Sequence, residues 1–133
     1  MTAPAFGSVV LYVHDDPKTI LDFYCAAFGL TIRYYDATAQ FGELETGATS
    51  LAVAAHSAGT LMVGEPYSPY GDGNPKNTEV AFLTADVPTA FARAVAAGCT
   101  PLCAPKQMPW GQTVAYVRSI EGTLVGLLTP VSP

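Results

Sequence analysis

Apolar, β-branched stretches and turn-forming residues follow one another along the chain in an order that occurs twice. In the first half, the apolar run Ser8–Val13 predicts a β-strand. Asp16 and Pro17 then favour the start of a helix, because Asp accepts bonds from free N–H groups and Pro fits the first turn. Apolar residues at helical spacing continue as far as Gly29, which is typical of a helix end. Three short strands are predicted next, over residues 31–36, 40–45 and 50–55.

The second half repeats this order. A strand is predicted over 79–84, and Asp86 is placed to cap a helix that ends at Gly98. Glu121 and Gly122 favour a tight turn before the last strand. The other strands of this half are predicted over residues 100–103, 112–118 and 123–128. Each half is therefore predicted to fold as β-α-β-β-β.

The segment 57–77 between the halves contains prolines, glycines and two tyrosines, Tyr67 and Tyr70. A loop of this length inside a compact domain is usually functional or disordered. Two interpretations remain open: a solvated linker, or a lid whose tyrosines contact a ligand. We interpret residues 1–133 as a single domain, with a first module over about 6–56, the linker 57–77 and a second module over about 78–130.

The composition restricts the class of protein. Of the 133 residues, 50% are hydrophobic and 13% are charged, which excludes a disordered chain. The 11 acidic and 6 basic residues give a net charge of −5, which disfavours binding to nucleic acid. The same charge favours a neutral or cationic small molecule over an anionic one.

Cysteine usage and the first residues bear on location. Cys25, Cys99 and Cys103 have no metal-ligand spacing, and we interpret them as thiols in a reducing compartment. The N-terminal residues lack the basic region of a secretory signal, and no apolar run reaches the roughly 18 residues that a membrane span needs. The sequence therefore predicts a cytoplasmic location without a membrane or nucleic-acid partner.

Short motifs in both halves, together with the repeated order of elements, point to a known family. In the first half they are Val10–Val13, Phe23 with Tyr24, and Phe28–Leu30; in the second half they are Glu79–Phe82, Ala90–Ala94, Ala97 with Gly98, Pro109–Gln112 and Tyr116–Val125. On these motifs the chain resembles the vicinal oxygen chelate superfamily of glyoxalase I, extradiol dioxygenases, and fosfomycin and bleomycin resistance proteins. The resemblance implies an α+β fold in which two βαβββ modules form a U-shaped cup of sheet with the helices outside.

The resemblance also implies where a metal would be bound. Metal enzymes of this family place one ligand on the first strand and one on the last strand of each half. These positions hold Ser8, Ala52 (or Ala54 if the register slips), Glu79 and Gly126. A catalytic divalent site needs about three protein ligands, and Glu79 alone is a good one. We therefore expect no metal, no cofactor and no catalytic residue, and we interpret His14 and His56 as surface or loop histidines.

Aromatic and polar residues are the candidates for ligand binding. Trp110, the single tryptophan, is either a core anchor or a stacking surface at the mouth of the cup, and flanking Pro109 and Gly111 favour the latter. Gln112 beside it can donate and accept. Glu79 either binds a cationic ligand or is a strand-edge carboxylate in water or paired with Arg33. The remaining candidates are Tyr35, which shares a face with Arg33 and is preferred to Tyr34 if Arg33 points toward the cup, then Phe41, Glu43, Tyr67 and Tyr70, with Ser8, Ala52 and Gly126 as small wall residues.

Three functions are compatible with these residues. The preferred one is metal-free binding and sequestration of a bulky planar aromatic molecule, such as an antibiotic, by a protein of the bleomycin-resistance kind. The second is a glyoxalase-like lyase or isomerase, or a dioxygenase-like enzyme, with an atypical site. The third is an interaction dimer in which the cup is incidental. A homodimer is expected in each case, since curved sheets leave edges that invite pairing, and modules may be exchanged between chains.

Overall fold

The computed structural model describes residues 6–14, 16–63 and 79–130, and the side chains of 60–63 are not among what it describes. The described residues form two units. The first contains the residues up to Cys25 and those from Gly29 to the end of the second helix. The second contains Ala26–Phe28 and the described residues from Glu79 onward.

The first unit is built around a four-stranded mixed sheet. Its strands lie in the order β1-β4-β3-β2, with β1 parallel to β4 and the other neighbours antiparallel. The elements are β1 (Ser8–Val13), α1 (Pro17–Phe28, whose last turn is grouped with the second unit), β2 (Ile32–Asp36), β3 (Phe41–Leu44), β4 (Ser50–Ala55) and α2 (His56–Val63).

The second unit repeats the arrangement of strands. The order in its sheet is β5-β8-β7-β6, again with the first and last strands parallel. Its elements are β5 (Glu79–Leu83), α3 (Val87–Ala97), β6 (Thr100–Gln107), β7 (Thr113–Arg118) and β8 (Leu124–Leu128). Two mixed sheets with three helices in the described residues confirm the predicted α+β class and the repeated order.

Local capping explains where the two long helices begin and end. The Asp16 carboxylate accepts a bond from the Lys18 N–H at 3.4 Å, and Asp86 accepts bonds from the N–H and hydroxyl of Thr89. Side-chain acceptors at this position satisfy N–H groups that the first helical turn leaves free. Gly29 ends α1 with φ +74°, a left-handed conformation that glycine adopts without steric cost. These ends are the ones predicted.

Each sheet buries one face against a helix. In the first unit, Ile20, Leu21 and Tyr24 of α1 have no exposed surface, and neither do Leu44 and Val53 of the sheet. In the second unit, α3 packs on β6, β7 and β8, and its Val87 and Ala94 are buried. Burial of one face leaves the opposite face of each sheet, which we call the far face, for other contacts.

The structure departs from the sequence prediction in two elements. β6 extends to Gln107 instead of ending near Cys103, although it contains Pro101 and Pro105. An edge strand tolerates proline because one of its sides forms no ladder, and the pairing with β7 is irregular at these places. The segment 57–77, interpreted from the sequence as a linker or a lid, begins with helix in the structure, since α2 continues to Val63. Within the described parts of the chain, every helix is too short or too polar to cross a membrane.

Gly42 in β3 provides a test of the packing between α1 and its sheet. A Cβ atom at this position would lie 2.5 Å from Leu21 Cδ1 and 2.9 Å from the Tyr34 carbonyl oxygen. The carbonyl oxygen is backbone and cannot simply rotate away. We expect Gly42→Ala to lower the free energy of unfolding by about 1–3 kcal/mol, measured by urea denaturation. Gly7→Ala is the matched control, because a Cβ there meets nothing within 4 Å. Equal effects of the two substitutions would contradict this packing.

Candidate functional site

The strand register defines the far face of the first sheet as a grid of side chains. One row across the strands contains Val10, Ala52, Glu43 and Tyr34. The next row contains Tyr12, Ala54, Phe41 and Asp36. Ser8 lies at the start of its strand beside Ser50. The predicted residues Ser8, Phe41, Glu43 and Ala52 therefore share one face, although Ala52 is 1% exposed and offers little open surface.

A β-bulge at Arg33 decides which of two adjacent tyrosines belongs to this face. Ile32 pairs with Leu44 and Tyr34 pairs with Glu43, so Arg33 is an extra residue on its strand. The bulge resets the alternation, and Tyr35 pairs with Gly42 on the side that α1 covers. The Tyr35 hydroxyl accordingly donates to Asp16 at 3.4 Å. Tyr34 therefore lies on the far face, and the preference for Tyr35 is wrong.

Arg33 is held within the first unit by its own partners. Its guanidinium donates to both oxygens of Glu45, at 2.7 and 2.8 Å, and to the Ser50 hydroxyl and Gly47 carbonyl oxygens. These bonds lower the pKa of Glu45, since a bidentate guanidinium favours the carboxylate. The proposed partner of Glu79 is thus already engaged with Glu45.

Tyr34 and Phe41 form an aromatic patch on the first far face. Their ring centroids are 6.3 Å apart with the planes at 54°, the tilted geometry that aromatic quadrupoles favour. Tyr34 remains 46% exposed. The patch therefore offers flat apolar surface next to the Glu43 carboxylate, with which Tyr34 pairs across the strands.

The far face of the second sheet gathers Glu79, Tyr116 and Gly126. The central row runs through Ala81, Gly126, Tyr116 and Cys103. A Cβ atom on Gly126 would come within 2.5 Å of Glu79 Oε2 and 3.1 Å of the Tyr116 ring. The Glu79 carboxylate therefore occupies the space that a side chain at position 126 would fill, so Gly126 does not leave open room for a ligand.

The Glu79 carboxylate changes the electrostatics of Tyr116. Burial raises the pKa of the Tyr116 hydroxyl, and the electrostatic influence of Glu79, followed by that of Cys103, raises it further. Tyr116 is thus a neutral hydrogen-bonding group beside a carboxylate. Tyr116 is not among the site residues predicted from the sequence, although it pairs with Gly126 across the strands.

Trp110 lies on the surface of the second unit, in the turn between β6 and β7. The indole is 59% exposed, which rejects the interpretation as a core anchor. Its Nε1–H donates to Gln112 Oε1 at 2.9 Å, and Gln112 Nε2 donates to the Thr129 carbonyl oxygen at 2.8 Å. Gln112 therefore orients the indole, and both the oxygen and the nitrogen of its amide form hydrogen bonds. Leu83, which is 65% exposed, pairs with Leu128 at the same end of the sheet.

The residues at the metal positions implied by the resemblance do not fit a divalent ion. Ser8 and Ala52 on the first sheet provide a hydroxyl and a methyl group, and Gly126 on the second provides no side chain. Glu79 is the single carboxylate in the set. In the described part of the chain, no group of three or more His, Cys, Asp or Glu residues comes together. A reaction routed through a metal at these positions lacks the donor set it needs.

His14 and His56 meet at one end of the first sheet. Their ring centroids are 4.2 Å apart with the planes tilted by 55°. His14 follows β1 and His56 begins α2 directly after β4, its parallel neighbour. Burial and the neighbouring His14 lower the pKa of His56. The two histidines are far apart in the sequence, and only the parallel pairing of β1 with β4 shows that they meet.

The remaining candidates for a ligand site are two predicted tyrosines and one cavity. Tyr67 and Tyr70, predicted to close over a ligand, lie outside the described residues. A cavity of about 320 Å³ is present in the second unit beside α3. Its lining includes Phe28 and Phe82, with ring centroids 4.9 Å apart, and the polar residues Thr84, Asp86 and Arg93.

The depressed pKa of His56 predicts a dependence of stability on pH. The unfolded chain takes up a proton on this imidazole at a higher pH than the folded chain does. The contribution of His56 to the free energy of unfolding is therefore fully present above about pH 6.5 and is lost as the pH decreases below that value. We expect the melting temperature to fall between pH 7.5 and 5.5, and His56→Gln to reduce the fall. If His56→Gln leaves the pH dependence of the melting temperature unchanged, protonation of His56 is not its cause. Paired carboxylates such as Glu45 and Asp86 lose their contribution at lower pH than this window.

Comparison with known proteins agrees with the fold. Residues 5–127 match the model of the Glyoxalase/Bleomycin resistance protein/Dioxygenase superfamily. No curated protein matches the chain significantly.

Solved structures resemble the chain over nearly its whole length. A glyoxalase-related enzyme from Fulvimarina pelagi has a TM-score of 0.80 at 18% identity, with 96% of this chain and 89% of that chain covered. A family enzyme from Burkholderia phytofirmans PsJN has a TM-score of 0.80 at 21% identity, covering 97% and 100%. TioX from Micromonospora sp. ML1 has a TM-score of 0.70 at 25% identity, covering 95% and 98%. With its duplicated βαβββ order and the match over residues 5–127, the chain belongs to the Glyoxalase/Bleomycin resistance protein/Dioxygenase superfamily.

Proposed function

We propose that this protein binds a planar aromatic small molecule, neutral or cationic, and sequesters it without chemical conversion. The observation that carries the proposal is Trp110, which is largely exposed and yet fixed in orientation by Gln112. Exposure of a large apolar ring to water is unfavourable, and covering the ring with another apolar group lowers the free energy. A held indole also loses little conformational entropy when a ligand stacks on it.

The bonds around Trp110 suit a stacking surface. The indole N–H is satisfied by Gln112, and Gln112 is anchored to the backbone at Thr129. The indole N–H and the Gln112 amide are therefore both hydrogen-bonded, and the exposed part of Trp110 is its apolar ring. Stacking of an aromatic ligand on one such ring contributes about 1 kcal/mol beyond the burial of area. Leu83 is a second exposed apolar residue at the same end of the sheet.

The charge of the second far face supports the neutral or cationic class of ligand. Glu79 is an exposed residue whose carboxylate lies over Gly126 beside Tyr116. It offers an anionic acceptor next to the aromatic ring and hydroxyl of Tyr116. The net charge of −5 adds long-range attraction for a cation. Arg118, on the same sheet, donates to the Gly122 carbonyl oxygen.

The family supports sequestration as the kind of function. Its name includes bleomycin resistance proteins along with two classes of enzyme. The fold by itself does not choose among these, because function resides in the site. The donor set at the family's metal positions disfavours the metal-dependent enzymes, and the stacking surface favours a binding protein. The homodimer, the exchange of modules and the cytoplasmic location stay predictions.

Removal of the indole tests the proposed function. A thermal-shift screen with bleomycin, mitomycin and quinoxaline antibiotics, with and without EDTA, identifies a ligand, because binding to the folded state raises the melting temperature. We expect Trp110→Ala to weaken that ligand by roughly ten-fold or more, by loss of stacking and buried area. The free energy of unfolding should change by less than about 0.5 kcal/mol, as is usual for an exposed residue. Trp110→Phe is the control that keeps a ring. Equal affinity in wild type and Trp110→Ala would reject this site, and ligand binding that EDTA abolishes would reject the metal-free mode.

Removal of the carboxylate charge tests the ligand class. We expect Glu79→Gln to weaken a cationic probe, N-methylquinoxalinium, more than neutral quinoxaline, because only the cation gains from the carboxylate. Asp22→Asn is a matched control, since it removes one negative charge from the exposed surface of α1. Calorimetric titrations at two salt concentrations measure the difference. If Glu79→Gln weakens both probes equally, Glu79 does not recognise charge.

A further inference from the structure

The register of β1 and β4 brings the two histidines of the sequence to one place. Ser8 pairs with Ser50, Val10 with Ala52 and Tyr12 with Ala54. The next pair at this spacing is His14 with His56, and the contact of their rings agrees with it. Parallel strands end at the same edge of a sheet, so the two imidazoles are held by independent elements that the sheet fixes relative to each other.

The two side chains differ in environment in a way that suits metal binding. His14 is exposed, whereas His56 is half-buried at the start of α2. Imidazole is the commonest metal ligand in proteins, and two rings in contact can bind one ion together. One imidazole is thus open to solvent, from which an ion can enter, and its neighbour is fixed at the start of a helix.

We propose that His14 and His56 together bind one divalent ion of the class that imidazole prefers, namely Ni²⁺, Cu²⁺ or Zn²⁺. The pair supplies two ligands, and no third His, Cys, Asp or Glu joins them among the residues that the structure describes. Water or an exogenous ligand completes the coordination. The ion therefore exchanges with solution and is removed by a chelator. This inference does not depend on the proposed function.

The position separates this pair from the metal positions of the family. Ser8 is at the start of β1, and His14 follows its end. Six residues of strand span about 20 Å at roughly 3.3 Å per residue. Ala52 is likewise in the interior of β4, whereas His56 comes after it. An ion held by the two imidazoles thus lies at the far end of the strands from Ser8.

Titration of the untagged chain, stripped with EDTA, with Ni²⁺ at pH 7.5 tests the proposal. Calorimetry is expected to show one ion per chain. His14→Ala and His56→Asn should each weaken binding by roughly 100-fold, since the second ligand then no longer adds its chelate effect. Cys103→Ser is the matched control and should leave the affinity unchanged, because Cys103 is a partly accessible thiol outside the pair. Circular dichroism of each variant shows whether it is folded.

A second measurement on the unaltered chain keeps the proposal testable if a variant fails to fold. The sequence has two histidines, so Zn²⁺ titration followed by NMR reports on two imidazoles. Both sets of ring signals should shift together and saturate at one equivalent. No saturable binding below millimolar Ni²⁺, a shift of one imidazole alone, one ion per two chains, or unchanged affinity in a folded histidine variant would each overturn the proposal.

Discussion

The packing of one face of each four-stranded sheet against a helix is the constraint on which the other features depend. The buried side chains of α1, among them Ile20, Leu21 and Tyr24, require an apolar sheet face opposite them, and residues of β3 and β4 provide it. Since side chains alternate along a strand, the same requirement assigns every second residue to the far face. The location of Glu43, Phe41 and Tyr34 is thus a consequence of core packing. Their chemistry is free to vary without loss of the fold.

The far face of the second sheet shows how that freedom is used. Gly126 lacks a side chain, and the Glu79 carboxylate from the neighbouring strand lies in the resulting space. Cross-strand neighbours of this kind are the unit of contact on a sheet surface. At the end of the sheet, Trp110 is held outward through Gln112 and Thr129. The unit therefore combines a carboxylate on the far face with an exposed indole at one end of the sheet, and the indole is held through Gln112 and Thr129, which directly adjoin β7 and β8.

Much of the fold was predictable because its signals are local. Capping by Asp16 and Asp86, and helix ends at Gly29 and Gly98, depend on residues close in sequence. The candidate site was predictable where alternation is regular, as for Ser8 with Ala52. It failed at Tyr35, because the bulge at Arg33 inserts one residue into β2 and nothing in the pattern of apolar positions marks it. The contact of His14 with His56 depends on strand pairing between distant segments, which local patterns do not encode.

The parallel pairing of the first and last strands in each unit has a consequence for how the chain folds as it is made. β1 has one neighbour in its sheet, β4, and Ser8 pairs with Ser50, so β1 has no partner until nearly the whole first half has been synthesised. The same holds for Glu79 and Leu124 in the second half. Contacts between such distant residues require closure of a long loop and slow the search for the native pairing. Each half must therefore emerge completely from the ribosome before its sheet can close, and the first strand of each half, β1 or β5, stays exposed until the last strand of that half follows it.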